Sequence, residues 1–120
     1  MDKKTLDFEK KIKELKLQYL ASLPSKCDSI EQMILNLESG ERSDESLSEL
    51  ARQVHSLKGT AGTYGYKFVT TICHNFEDYF TLASVSNSFD KKSIRRLLAF
   101  VELLREYAKS RSQNGTKDTV

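Results

Sequence analysis

Apolar residues recur at steps of three and four along nearly the whole chain, and this spacing constrains the fold more than any other feature. From about Thr5 to Leu23 one stripe runs through Phe8, Ile12, Leu15, Tyr19 and Leu23. Pro24 interrupts it. A proline is tolerated in the first turn of a helix and also kinks a continuous one, and the sequence is read here as starting a second helix at this point. A second stripe follows through Cys27, Ile30, Met33, Ile34 and Leu37, closed by Gly40. A third helix opens at Ser43, Asp44 and Glu45, with Ser46 and Glu49 as an alternative capping box. Its core face is Leu47, Leu50, Ala51, Val54, Leu57 and Ala61, and Gly65 provides the turn after it. The fourth carries Phe68, Val69, Ile72, Cys73, Phe76, Phe80 and Ala83; a polar linker, Ser84 to Ser88, leads to an N-cap at Asp90. The last shows Ile94, Leu97, Leu98, Val101, Leu104 and Ala108.

No stretch alternates with the period of a strand, so the expected class is all-α. The expected architecture is an antiparallel four-helix bundle from Pro24 onward with an additional N-terminal helix packed across or capping it. One domain over residues 1–110 suits the length, and the apolar-poor tail 111–120 is expected to be disordered. With 19 basic and 17 acidic residues the net charge is only +2, which gives no basis for nucleic-acid binding. No apolar run approaches the roughly 18 residues of a membrane span or forms a signal peptide, so a cytoplasmic protein is expected. The lysine-rich start is read as a solvated helix face; membrane binding by that helix is disfavoured because the bundle needs its apolar side. Cys27 and Cys73 both fall on apolar faces and are expected to be buried, reduced thiols.

The segment His55-Ser56-Leu57-Lys58-Gly59-Thr60-Ala61-Gly62-Thr63-Tyr64-Gly65 carries the chemistry. On a helical wheel His55 lies roughly 100° from the centre of the apolar stripe, so it is a boundary residue. Gly59 and Gly62 fall within about 40° of it, one and two turns along. Lys58, at i+3, packs its stem on the core side while its amine reaches outward. Glycine costs about 1 kcal/mol against alanine inside a helix. Helix termination explains Gly65 and part of Gly62, but not Gly59, which sits in the middle of the apolar pattern. An open bay beside the ring explains it. Neutral imidazole is a nucleophile near pH 7 that forms a phosphoryl adduct, and the charge of Lys58 can offset phosphoryl oxygens. The sequence has no glycine-rich phosphate loop after a strand, no kinase lysine with its metal-binding aspartate, and no carboxylate cluster on this face for Mg2+. The chain therefore needs no cofactor of its own; donor, acceptor and metal are expected from partners.

These residues resemble the H-x-L-K-G-x-x-x-x-x-G signature of histidine-containing phosphotransfer (HPt) domains. Val69, Cys73 and the pair Phe76-Glu77 continue the likeness, as does Leu23-Pro24. Val54, where the family often has alanine, and Tyr66, where a small residue usually follows the glycine, depart from it and are expected to reshape the docking surface. The resemblance implies a monomeric phosphorelay carrier, not an enzyme. It would be phosphorylated on His55, by family habit at Nε2, with Lys58 stabilising phosphoryl charge and Gly59, Gly62 and Gly65 on the docking face. Its partners would be response-regulator receiver domains holding Mg2+ and a sensor or hybrid histidine kinase. Two other readings are a helical interaction module that is never phosphorylated, and the phosphate-accepting domain of a chemotaxis-type kinase. His74, the only other histidine, points about 100° away from Cys73 and does not converge with it and Glu77 on a metal, so it is expected to face solvent. Tyr64 and Tyr66 are open between docking aromatics and turn packing.

Overall fold

The computed structural model describes residues 2–40 and 42–118, with side chains up to residue 111. Its four helices are α1 (Lys3–Glu38), α2 (Asp44–Tyr64), α3 (Lys67–Ser86) and α4 (Lys91–Asp118), and the described residues contain no strand. Most of the expected tail, 111–120, carries side chains outside the described residues.

The separate N-terminal helix is not found. Pro24 lies inside α1, which is one continuous helix of 36 residues. A proline there removes one intrahelical hydrogen bond and costs about 3 kcal/mol. Against that cost stands an unbroken buried stripe: Tyr19, Leu23, Cys27, Ile30, Ile34 and Leu37 keep helical phase straight through the proline, whose ring is exposed. Breaking the helix at Pro24 would turn Tyr19 and Leu23 away from the face they share with Cys27. The other stops behave as read. Gly40 turns the chain at φ +103°, and Ser43 caps α2 by accepting from the Ser46 amide at 3.1 Å. Gly65 ends α2 in the left-handed region at φ +79°, with the Tyr66 amide donating back to the Ala61 carbonyl at 2.9 Å. At the next turn Asn87 takes the left-handed position. Here α3 extends through Ser86, so Ser84 to Ser86 are helical rather than linker. Asp90 caps α4, accepting from the Ser93 amide at 2.8 Å.

Helix α1 packs chiefly along α4, and α2 along α3; neighbours in sequence run antiparallel. The aliphatic centre is Leu23, Ile34, Leu50, Leu57, Val69, Ile94, Leu97 and Val101. Cys27 and Cys73 are buried free thiols, and burial pushes them up to about 11 and about 12 respectively. Phe89, which the spacing does not single out, is buried against Phe80 under the Arg42 guanidinium, whose Nη2 donates to the Phe89 carbonyl at 3.2 Å. This ties the α1–α2 turn to the α3–α4 turn. At the opposite end Tyr66 stacks on Tyr19 with centroids 5.6 Å apart and donates to the Lys16 carbonyl at 3.2 Å, while Tyr64 meets Tyr19 edge-on. Both tyrosines near Gly65 thus serve turn packing.

Candidate phosphotransfer site

Helix α2 buries Val54, Leu57 and Ala61 and leaves His55 one step off that face. Its imidazole is 72% exposed. Nδ1 lies 3.0 Å from Oε2 of Glu77 on α3. The other carboxylate oxygen, Oε1, is buried, and its partner is the Lys58 ammonium, held as an ion pair. Lys58 and Glu77 are each about three-quarters buried, at 25% and 24% exposure. Burial alone would raise the Glu77 pKa. The hydrogen bonds from Lys58 and His55, together with their charges, outweigh it and hold the carboxyl below its ordinary value. A carboxylate that stays ionised is a firm acceptor. A neutral imidazole facing it keeps its proton on Nδ1 and turns the Nε2 lone pair to solvent.

Beside the ring the helix surface is bare. A Cβ built on Gly59 would meet nothing within 4 Å, and one on Gly62 would meet only Thr70 Oγ1, at 4.0 Å. No neighbouring helix demands a glycine at position 59, so packing does not account for it. Thr60 and Thr63 flank it, donating to the carbonyls of Ser56 and Gly59, both at 3.1 Å. Gly65 sits at the end of the same helix as its cap and plays a conformational part.

Of the residues singled out by sequence, His55, Lys58, Gly59 and Gly62 lie on one face. The Lys58 stem packs as its spacing implies, and its amine is paired with Glu77. Val54 and Tyr66, expected to reshape the docking surface, are both buried and face the core. His74 is exposed and lies 3.4 Å from Asp78 on its own helix. Among the described residues no group of three His, Cys, Asp or Glu side chains gathers as a metal site. Glu77 is the residue whose role the spacing did not reveal. Its signal was the hairpin itself: His55 precedes Gly65 by ten residues and Glu77 follows it by twelve, so antiparallel pairing sets them level.

The Hpt domain family model matches residues 14–109. The chain belongs to the Hpt domain family. The match takes in all of α2 and α3 and every residue of the site. Hpt domains are phosphocarriers of two-component signalling, without a catalytic site of their own. No curated protein and no solved structure shows a significant match to this Hpt chain. No helix among the described residues is long and apolar enough to cross a membrane.

Proposed function

We propose that the chain is a phosphorelay carrier that takes a phosphoryl group on His55 Nε2 and passes it on, exchanging it with receiver-domain aspartates or a histidine kinase. The observation that carries this is the exposed imidazole whose Nδ1 lies 3.0 Å from Oε2 of an ionised Glu77, on the helix that also presents Gly59 and Gly62. In the forward step Nε2 attacks the phosphorus of an aspartyl phosphate. The N–P bond forms, the bond from phosphorus to the aspartate oxygen breaks, and the aspartate leaves as a carboxylate. No proton changes hands, because Nδ1 keeps its own. The ring becomes cationic, and Glu77 offsets that charge. Lys58 shifts from Glu77 toward the phosphoryl oxygens, and Gly59 and Gly62, with Gly65 at the helix end, let a receiver domain approach. Mg2+ belongs to that partner's acidic site, as the phosphoryl-transfer chemistry requires. The reading makes the chain a monomeric cytoplasmic partner of receiver domains and a sensor or hybrid kinase.

The test is labelling from a phosphorylated receiver domain. Wild type should acquire acid-labile, alkali-stable phosphate; His55→Gln should acquire none while keeping its helicity, and His74→Gln should label fully. An unlabelled wild type across a panel of receivers and kinases would favour the interaction-module reading. Loss in the His74 variant alone would move the site.

A further inference from the structure

Helix α1 is longer than the bundle it serves. At 1.5 Å per residue its 36 residues span about 54 Å, against about 42 Å for α4 and about 31 Å for α2. The long axis of the molecule is 55 Å, the length of this one helix. Residues 2–11 are exposed throughout, and Phe8 is 67% exposed although it continues the stripe that is buried from Tyr19 onward. The bundle covers this face only in part: Phe8, Ile12 and Leu15 keep a core-type spacing of four and three, but Phe8 is exposed and Ile12 and Leu15 are half-buried. A groove of about 390 Å³, lined by Glu9, Ile12, Lys13, Lys16, Leu17 and Tyr66, opens on the Glu9–Lys16 flank of this stripe.

The overhang is also the basic part of the chain. Residues 1–16 hold six lysines and four acids, an excess equal to the whole formal net charge of +2. Lys4 and Lys11 lie along one flank of the Phe8–Ile12–Leu15 stripe, and Lys16 lies along the other beside Glu9. We propose that this overhang is a docking site for an amphipathic helix of a partner protein with acidic residues flanking its apolar stripe. A three-four stripe left partly uncovered on a helix is matched by another helix packing along it, continuing the α1–α4 seam, and flanking charges select the partner. A bilayer fits less well, because exposed Leu6 and Leu17 lie on the side opposite Phe8 and three acids stand among the lysines. A second copy would bring the same lysines against themselves.

Two synthetic peptides of about three heptads test this, both with leucine in the stripe, one flanked by glutamate and one by lysine. Binding to the full chain should be measured by calorimetry, and amide hydrogen exchange by NMR. The glutamate peptide should bind at least tenfold more tightly and slow exchange across residues 4–17. Phe8→Ser should weaken it at least tenfold without shifting the melting temperature, and the double variant Lys4→Glu, Lys11→Glu should reverse the preference. Absence of binding, equal binding of both peptides, or indifference to Phe8→Ser would overturn the proposal. So would protection of the same residues by vesicles of equal parts phosphatidylcholine and phosphatidylserine, or by concentration-dependent dimerisation, with no peptide effect.

Discussion

Two charge clusters tie helices together in this bundle, and they are built in opposite senses. On the α1–α4 side one cation serves three anions: Arg105 of α4 donates to Glu31 at 2.7 Å and Asp28 at 2.9 Å on α1, and to Glu102 at 3.0 Å on its own helix. On the α2–α3 side one anion serves two cation-forming groups, Lys58 and His55, through Glu77. The hydrogen bonds to Glu31 and Asp28 push the Arg105 pKa above its already high value, so the guanidinium stays charged, and its fork geometry is spent on fixed partners. In the Glu77 cluster the imidazole has two nitrogens and, among the described residues, only Nδ1 is engaged. A cluster that saturates its members holds the fold, whereas one that leaves an exposed nucleophilic nitrogen over is equipped for chemistry.

The comparison breaks most visibly at Gly59. Gly59→Gln puts a long side chain one turn from His55, where a receiver domain must bring its aspartate within about 3 Å of the attacking atom. Receiver-to-protein transfer should fall at least tenfold while the melting temperature holds or rises, because a Cβ there meets nothing and glutamine favours a helix over glycine by up to about 1 kcal/mol. Normal transfer in a stable variant would mean that His55 is approached from another side. Lys58→Ala should have a smaller effect, slowing transfer or shortening the phosphohistidine lifetime a few-fold, as expected for one cation in a partly desolvated patch. If both are unchanged, Lys58 is a packing residue. Arg105→Ala should do the reverse: a loss of about 1 kcal/mol in chemical denaturation with transfer rates intact. Slowed transfer there would couple the two clusters.

The fold and the Glu77 cluster are unequally legible in the sequence, and the difference comes down to range. Stops written in local backbone chemistry read directly: the left-handed turn at Gly65 and the side-chain caps of Ser43 and Asp90 stand where the sequence puts them. Pro24 misled because its local penalty is set against burial of residues on both sides, which no local signal weighs. Ser84 to Ser86 look like linker by polarity, yet Asn87, in the left-handed region, is what stops α3. His55, Lys58 and Gly59 share one helix, so their grouping follows from helical period alone. Glu77 comes from the neighbouring helix, and its double engagement needs the α2–α3 register.

A slighter effect is expected with pH. Glu77 titrates lower in the folded protein than its ordinary value of 4.5, so its contribution to stability is complete above that value and is lost as pH falls through the depressed folded value. Denaturation of wild type and Glu77→Gln should therefore differ by a constant amount near neutrality and converge in acid. A difference that persists at the lowest pH would mean that the carboxylate charge is not what the site uses.

The most direct test of the central claim is the protonation and phosphorylation pattern of the His55 ring, read by nitrogen and phosphorus NMR on the protein labelled with 15N at histidine. Neutral His55 should be protonated at Nδ1 before transfer and carry the phosphoryl group on Nε2 after it, and Glu77→Ala should weaken the tautomer preference. A phosphoryl group on Nδ1, or a ring mainly protonated at Nε2 in the wild type, would contradict it.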